Sequence, residues 1–100
     1  MNSKVEVTNV SGYFADAGQF DDGGIATADV LTGKHAGHAV TIDTDKFNCG
    51  AYSQVVKCSC GAYWQNRMNG CWQVGHQRDE EGDTELESVL DAAYYKLWSA

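Results

Sequence analysis

The chain contains no proline among its 100 residues. Ordinary usage would supply about five, so proline-rich spacers and polyproline ligand segments are excluded. Basic residues are scarce too: seven Lys and Arg stand against fourteen Asp and Glu, for a net charge of -7. That balance disfavours attachment of the whole chain to DNA or to an anionic membrane surface. No apolar run approaches the ~20 residues of a membrane-spanning helix. The opening residues, Met1-Asn2-Ser3-Lys4-Val5-Glu6, lack the apolar stretch of a secretory signal. The expectation is therefore a cytoplasmic protein that does not engage membranes. Hydrophobic residues make up 43% and charged residues 21%, the proportions of one ordinary globular domain over residues 1–100.

Several catalytic signatures are missing as well. There is no His-Glu-x-x-His, and no His-x-Glu followed by Pro-Cys-x-x-Cys, so neither common form of zinc hydrolase chemistry is signalled. Gly33-Lys34 lacks the upstream glycine of a phosphate-binding loop. Cys71 and His76 are the one nucleophile–base pairing that spacing offers, and two residues five apart do not define a site. The sequence is read as a non-enzyme.

What is present is unevenly spread. Seven acids, Asp79, Glu80, Glu81, Asp83, Glu85, Glu87 and Asp91, fall close together, whereas Lys46 to Arg78 contains none. That acid-free stretch holds Lys46, Lys57, Arg67 and Arg78, five aromatics and all four cysteines. The acidic run reads as a solvated loop and helix start, or as a patch for a basic protein partner formed by Asp79, Glu80, Glu81 and Asp83 with the aromatics Trp64 and Trp72. The acid-free stretch supports an alternative, a nucleic-acid contact through stacking and phosphate pairing; against the net charge, a protein partner is preferred.

Every Cys and His lies between His35 and His76: His35, His38, Cys49, Cys58, Cys60, Cys71 and His76. Zinc takes four nitrogen or sulfur ligands in a tetrahedron, best delivered in pairs from tight turns. Cys58-Ser59-Cys60-Gly61 is one such turn, and His35-Ala36-Gly37-His38 offers another pair. One four-ligand set is His38, Cys58, Cys60 and His76, with Cys49, Cys71 and His35 as substitutes. Cys-x-Cys is shorter than the usual Cys-x₂₋₄-Cys. A redox role for the same thiols is a further alternative. Disulfides are disfavoured without a secretory signal.

The run from His38 through Val55-Val56-Lys57-Cys58-Ser59-Cys60-Gly61 to His76 resembles short proteins common in actinobacteria and their phages. In those, a histidine precedes a strand ending in Cys-Ser-Cys-Gly plus an aromatic, and a later histidine follows, often beside a helix. The resemblance covers residues 38 to 76, and here Ala62 intervenes before Tyr63-Trp64. It implies a zinc set of His38, Cys58, Cys60 and His76 in a small, phage-encoded accessory protein and no particular activity; the expected role is to act on a host protein.

The expected fold is α+β: a zinc-ribbon-like antiparallel meander of four to five strands against one C-terminal helix, stabilised by one structural zinc. Strands are expected near Val5–Val10, His38–Asp43, Tyr52–Cys58 and Ala62–Gln65, with a shorter one at Cys71–Gly75. Ile25–Leu31 fits either a strand or a helical turn. Residues 13–24, Thr32–Gly37, Thr44–Lys46 and Asn66–Gly70 read as loops or turns. Leu86, Val89, Leu90, Ala93 and Leu97 recur at helical spacing, which predicts a helix from Glu85 to about Ser99, with Thr84 and Glu87 as a capping box.

Overall fold

The computed structural model describes residues 5–12, 23–46, 52–69 and 77–99. Within them lie six strands and one helix: β1 (Val7–Gly12), β2 (Gly23–Val30), β3 (Ala39–Lys46), β4 (Tyr52–Cys58), β5 (Tyr63–Asn69), β6 (Gln77–Gly82) and α1 (Thr84–Ser99). All six strands form one sheet whose spatial order is the chain order. Every neighbouring pair is antiparallel.

The α+β expectation holds, with six strands rather than four or five. Ile25 to Val30 is strand, paired with both β1 and β3. The two turns expected at Thr44–Lys46 and from Asn66 onward are also strand. Thr44 pairs with Gly24 and Gln54, and Asn66 pairs with Gln54 and Glu80. Turn-forming residue types were overridden because ladders on both sides satisfy the backbone, and strand preference depends on such neighbours more than on residue type. The Asn66 amide, itself buried, donates to the Gln54 side chain at 3.0 Å. Of the acidic run, Asp79, Glu80 and Glu81 form part of the edge strand β6 rather than a loop, while Glu85, Glu87 and Asp91 lie in α1, in line with the helix-start reading. A charged edge is the arrangement that discourages pairing with another sheet. The strand expected at Cys71–Gly75 lies outside the described residues, as do residues 13–22 of the expected first loop.

Alternation assigns the two faces of the sheet. Ala28, Val40 and Cys58 share one cross-strand row; Ala26, Ile42, Val56 and Trp64 share the next. All seven are buried. Helix α1 covers them with Leu86, Val89, Leu90 and Ala93, the stripe its sequence spacing predicted. Trp64 therefore does not belong to a partner surface: it is 1% exposed, because it shares the parity of Val56 and Ile42. At the other edge, β1 carries an irregularity between Thr8 and Ser11, where Asn9 takes a left-handed φ of 55° and its amide donates to Asp29.

The helix starts where expected, but its cap is Asp83 rather than Thr84. The Asp83 carboxylate accepts from the Glu85 backbone N–H at 3.0 Å, and its carbonyl accepts from Leu86 N–H. Asp and Thr are both competent caps. Asp83 takes the role because two other groups already hold its carboxylate beside the helix, as described below. Glu85 and Glu87 in the first turn and Lys96 in the last complement the helix dipole.

Burial sets a contrast that urea unfolding can measure. Leu86→Ala should cost about 2–5 kcal/mol, the range for emptying a core leucine site. Tyr95→Ala, at a residue 74% exposed on the same helix, should stay within about 0.5 kcal/mol. Similar losses for both would contradict the helix orientation.

Candidate metal centre

The chain turns twice at one end of the sheet, and each turn carries two of the residues singled out by sequence. Between β2 and β3, His38 N–H donates to His35 carbonyl at 3.0 Å, closing a turn with Gly37 at φ 85°. A positive φ at the third position of such a turn calls for glycine. His35 and His38 thereby become the two ends of one tight turn. A further bond from Gly37 N–H to Val30 carbonyl, 2.8 Å, fixes this turn to the end of β2.

Between β4 and β5 the loop is Ser59-Cys60-Gly61. Gly61 N–H donates to Cys58 carbonyl and Cys58 N–H to Ala62 carbonyl, both at 2.9 Å, with Gly61 at φ 101°. This is the three-residue hairpin loop with a left-handed glycine in its bulge. The loop also aims backbone donors at sulfur. Cys60 N–H points at the Cys58 thiol and Ala62 N–H at the Cys60 thiol. Such donors stabilise thiolates, the form that binds metal.

The two turns meet. His38 Nδ1 stands 3.5 Å from Cys58 Sγ, and His35 Nδ1 stands 3.5 Å from Cys60 Sγ. One ligand atom from each of the four residues falls within 4.8 Å of all the others. A tetrahedron with Zn–S of about 2.3 Å and Zn–N of about 2.0–2.1 Å has S···N edges of roughly 3.5–3.6 Å. The His38–Cys58 and His35–Cys60 separations, 3.5 Å each, match that edge. His35 and Cys58 are buried, His38 is half-buried and Cys60 is exposed. The site thus opens to solvent on the Cys60 side.

Of the four ligands proposed from sequence, the structure brings together His38, Cys58 and Cys60. His76 lies outside the described residues, as do Cys49 and Cys71. The fourth member of the observed cluster is His35, one of the three substitutes the sequence offers, in place of His76. Its signal was the His-Ala-Gly-His spacing, which gives a turn with both rings at its ends.

Asp83 was read from sequence as part of an acidic patch, and its surroundings are quite different. Its Oδ2 lies 2.9 Å from His35 Nε2 and 3.0 Å from Lys34 Nζ, while Oδ1 caps α1. Burial pushes the Asp83 carboxyl up, but the hydrogen bonds from His35, Lys34 and the Glu85 backbone outweigh it and hold it at about 2. Burial likewise lowers the His35 pKa, and its bonds to Asp83 and Cys60 more than reverse that, so the net direction is upward. The thiols diverge. Burial lifts Cys58 above the ordinary thiol value, while the Ala62 N–H and then the Cys58 side chain bring Cys60 down to about 7.

The remaining residues of the predicted partner surface separate. Asp79, Glu80 and Glu81 are exposed on β6, and Glu81 accepts a 2.7 Å bond from the Tyr63 hydroxyl. Trp72 lies outside the described residues. The acid-free stretch is acid-free only along the chain: in the sheet Arg67 pairs with Asp79 and Gln65 with Glu81. No family model, curated protein or solved structure matches the chain.

The thiol environments give a measurable order. In metal-free protein at pH 7, iodoacetamide should label Cys60 at least roughly tenfold faster than Cys58, because only the exposed, lowered thiol is substantially ionised. Peptide mass spectrometry at timed quenches reads both rates. Equal rates would contradict the hydrogen-bonding described for this loop.

Proposed function

We propose that His35, His38, Cys58 and Cys60 bind one structural zinc ion, and that the protein is a small non-enzymatic module whose partner is another protein. The observation that carries this reading is the convergence of two nitrogens and two sulfurs within 4.8 Å. Four protein ligands complete a tetrahedron, which is the mark of a structural rather than a catalytic zinc site. In its use of two hairpin turns with two ligands each, the site is zinc-ribbon-like. The accessory role implied by the resemblance to the short Cys-Ser-Cys-Gly proteins belongs to the same proposal, supported by the place of Cys58-Ser59-Cys60-Gly61 at the cluster. The partner surface in this reading is the edge strand β6, where Asp79, Glu80 and Glu81 face solvent and suit a basic patch on a protein.

A domain of this size gains much from such a tie. The chain must hold a six-stranded sheet under one helix. A ligand that binds only the folded state adds about 4 kcal/mol when free zinc stands roughly 1,000-fold above Kd.

Native mass spectrometry of protein purified without chelator should show one zinc per chain, with all four cysteines reduced after denaturation. Cys58→Ser and Cys60→Ser should each abolish that zinc and lower the melting temperature, whereas Cys49→Ser should leave both near the wild-type value. An apo mass short of hydrogens would indicate disulfides and overturn the zinc reading. Equal, small effects of the three substitutions would overturn the ligand choice.

A further inference from the structure

We propose that Asp83 is the positioning residue of this metal site, and that through the same carboxylate zinc binding is coupled to the seating of α1; this inference rests on the zinc reading above. A neutral imidazole has one N–H and one lone pair, and only the lone pair can bind metal. His35 is 3% exposed, and its Nε2 faces Asp83 Oδ2 at 2.9 Å. A carboxylate there holds the proton on Nε2. The Nδ1 lone pair is thereby left facing Cys60 Sγ, 3.5 Å away and inside the cluster. The opposite tautomer would place a proton where the metal must sit. Carboxylates that orient ligating histidines in this way matter by about 10–100-fold in metal affinity.

The second half of the inference follows from what else touches these atoms. Asp83 Oδ1 caps α1 at the Glu85 N–H. The Glu85 carboxylate in turn accepts the backbone N–H of Lys34, and Lys34 Nζ reaches Asp83 at 3.0 Å. A Cβ on Gly33 would collide with that Glu85 carboxylate, so the histidine-bearing loop and the first helical turn are in close contact. Fixing His35 with zinc therefore fixes the acceptor that starts the helix. Coupling of this kind is reciprocal: whatever the metal contributes to the helix start, the helix start contributes to the metal.

Asp83→Asn separates the two roles, because asparagine caps a helix about as well as aspartate but carries no charge to hold the Nε2 proton. Zinc affinity is read by competition with a chelator of known strength, alongside amide exchange over Glu85–Val89 with and without zinc. The expected result is one zinc per chain bound about 10–100-fold more weakly by D83N. Zinc-induced protection of the helix start should be present in the wild type and smaller in the variant. Tyr95→Ala, at a residue exposed on the same helix and outside these contacts, should change zinc affinity by no more than about twofold. Nitrogen-15 imidazole spectra of the zinc-loaded wild type should show His35 protonated at Nε2 and ligated through Nδ1. D83N binding zinc as tightly as wild type, or His35 ligated through Nε2, would overturn this inference and leave the zinc reading standing. A wild-type protein that takes up no zinc would overturn both.

Discussion

In an antiparallel sheet whose spatial order equals its chain order, every even-numbered strand finishes at the same end of the sheet. This parity decides where the chemistry of the protein collects. The connection after β2 carries His35 and His38, the connection after β4 carries Cys60, and the junction after β6 carries Asp83. Cys58, the last residue of β4, pairs across to Val40 at the start of β3, two residues from His38. Residues 48 positions apart along the chain, His35 and Asp83, are thus in hydrogen-bond contact. A change of strand number by one would send one of these connections to the other end.

The same end of the sheet is where the helix must begin. Its buried stripe can cover Ile42, Val56 and Trp64 only if the first turn is set at the right height and angle over the sheet. Asp83 sets it by holding the histidine loop with one oxygen and the helix amide with the other. Hydrophobic burial supplies the bulk of the driving force and is indifferent to angle. The directional bonds at Asp83 and Glu85 supply the angle. Zinc, in the proposed function, would make the histidine loop a rigid platform for those bonds, with ligand geometry doing for two short turns what a larger core does in bigger domains.

The sequence made some of this legible and hid the rest for identifiable reasons. The helix was legible because its apolar period is clean from Leu86 to Leu97, and so were the strands around Val40–Ile42, where apolar and polar residues alternate, and Tyr52–Cys58, where Val55-Val56 favours strand. The Cys58–Gly61 turn could be read from spacing and its glycine alone. Strand β6 was hidden because an edge strand made of charged residues looks like a solvated loop. The continuation of β5 through Asn66 was hidden because asparagine ordinarily marks turns; the ladders to β4 and β6 and the bond from its buried amide to Gln54 account for it. Trp64 was misplaced because an aromatic next to exposed Tyr63 gives no local sign of which faces inward; the row it shares with Val56 does. In the candidate site, His35 was undervalued because linear spacing cannot register strand parity. By charge counting Asp83 is one acid among seven, because such counting does not distinguish a solvated carboxylate from one shared by a histidine, a lysine and a helix end.

The proposed metal centre is a mixed nitrogen–sulfur site built from two turns. Zinc K-edge X-ray absorption on the purified, zinc-loaded protein tests it most directly, because it counts donor types without reference to any variant. The expected shell is two sulfurs at about 2.3 Å and two imidazole nitrogens at about 2.0–2.1 Å. A shell of three or four sulfurs, or one made only of light atoms, would contradict it.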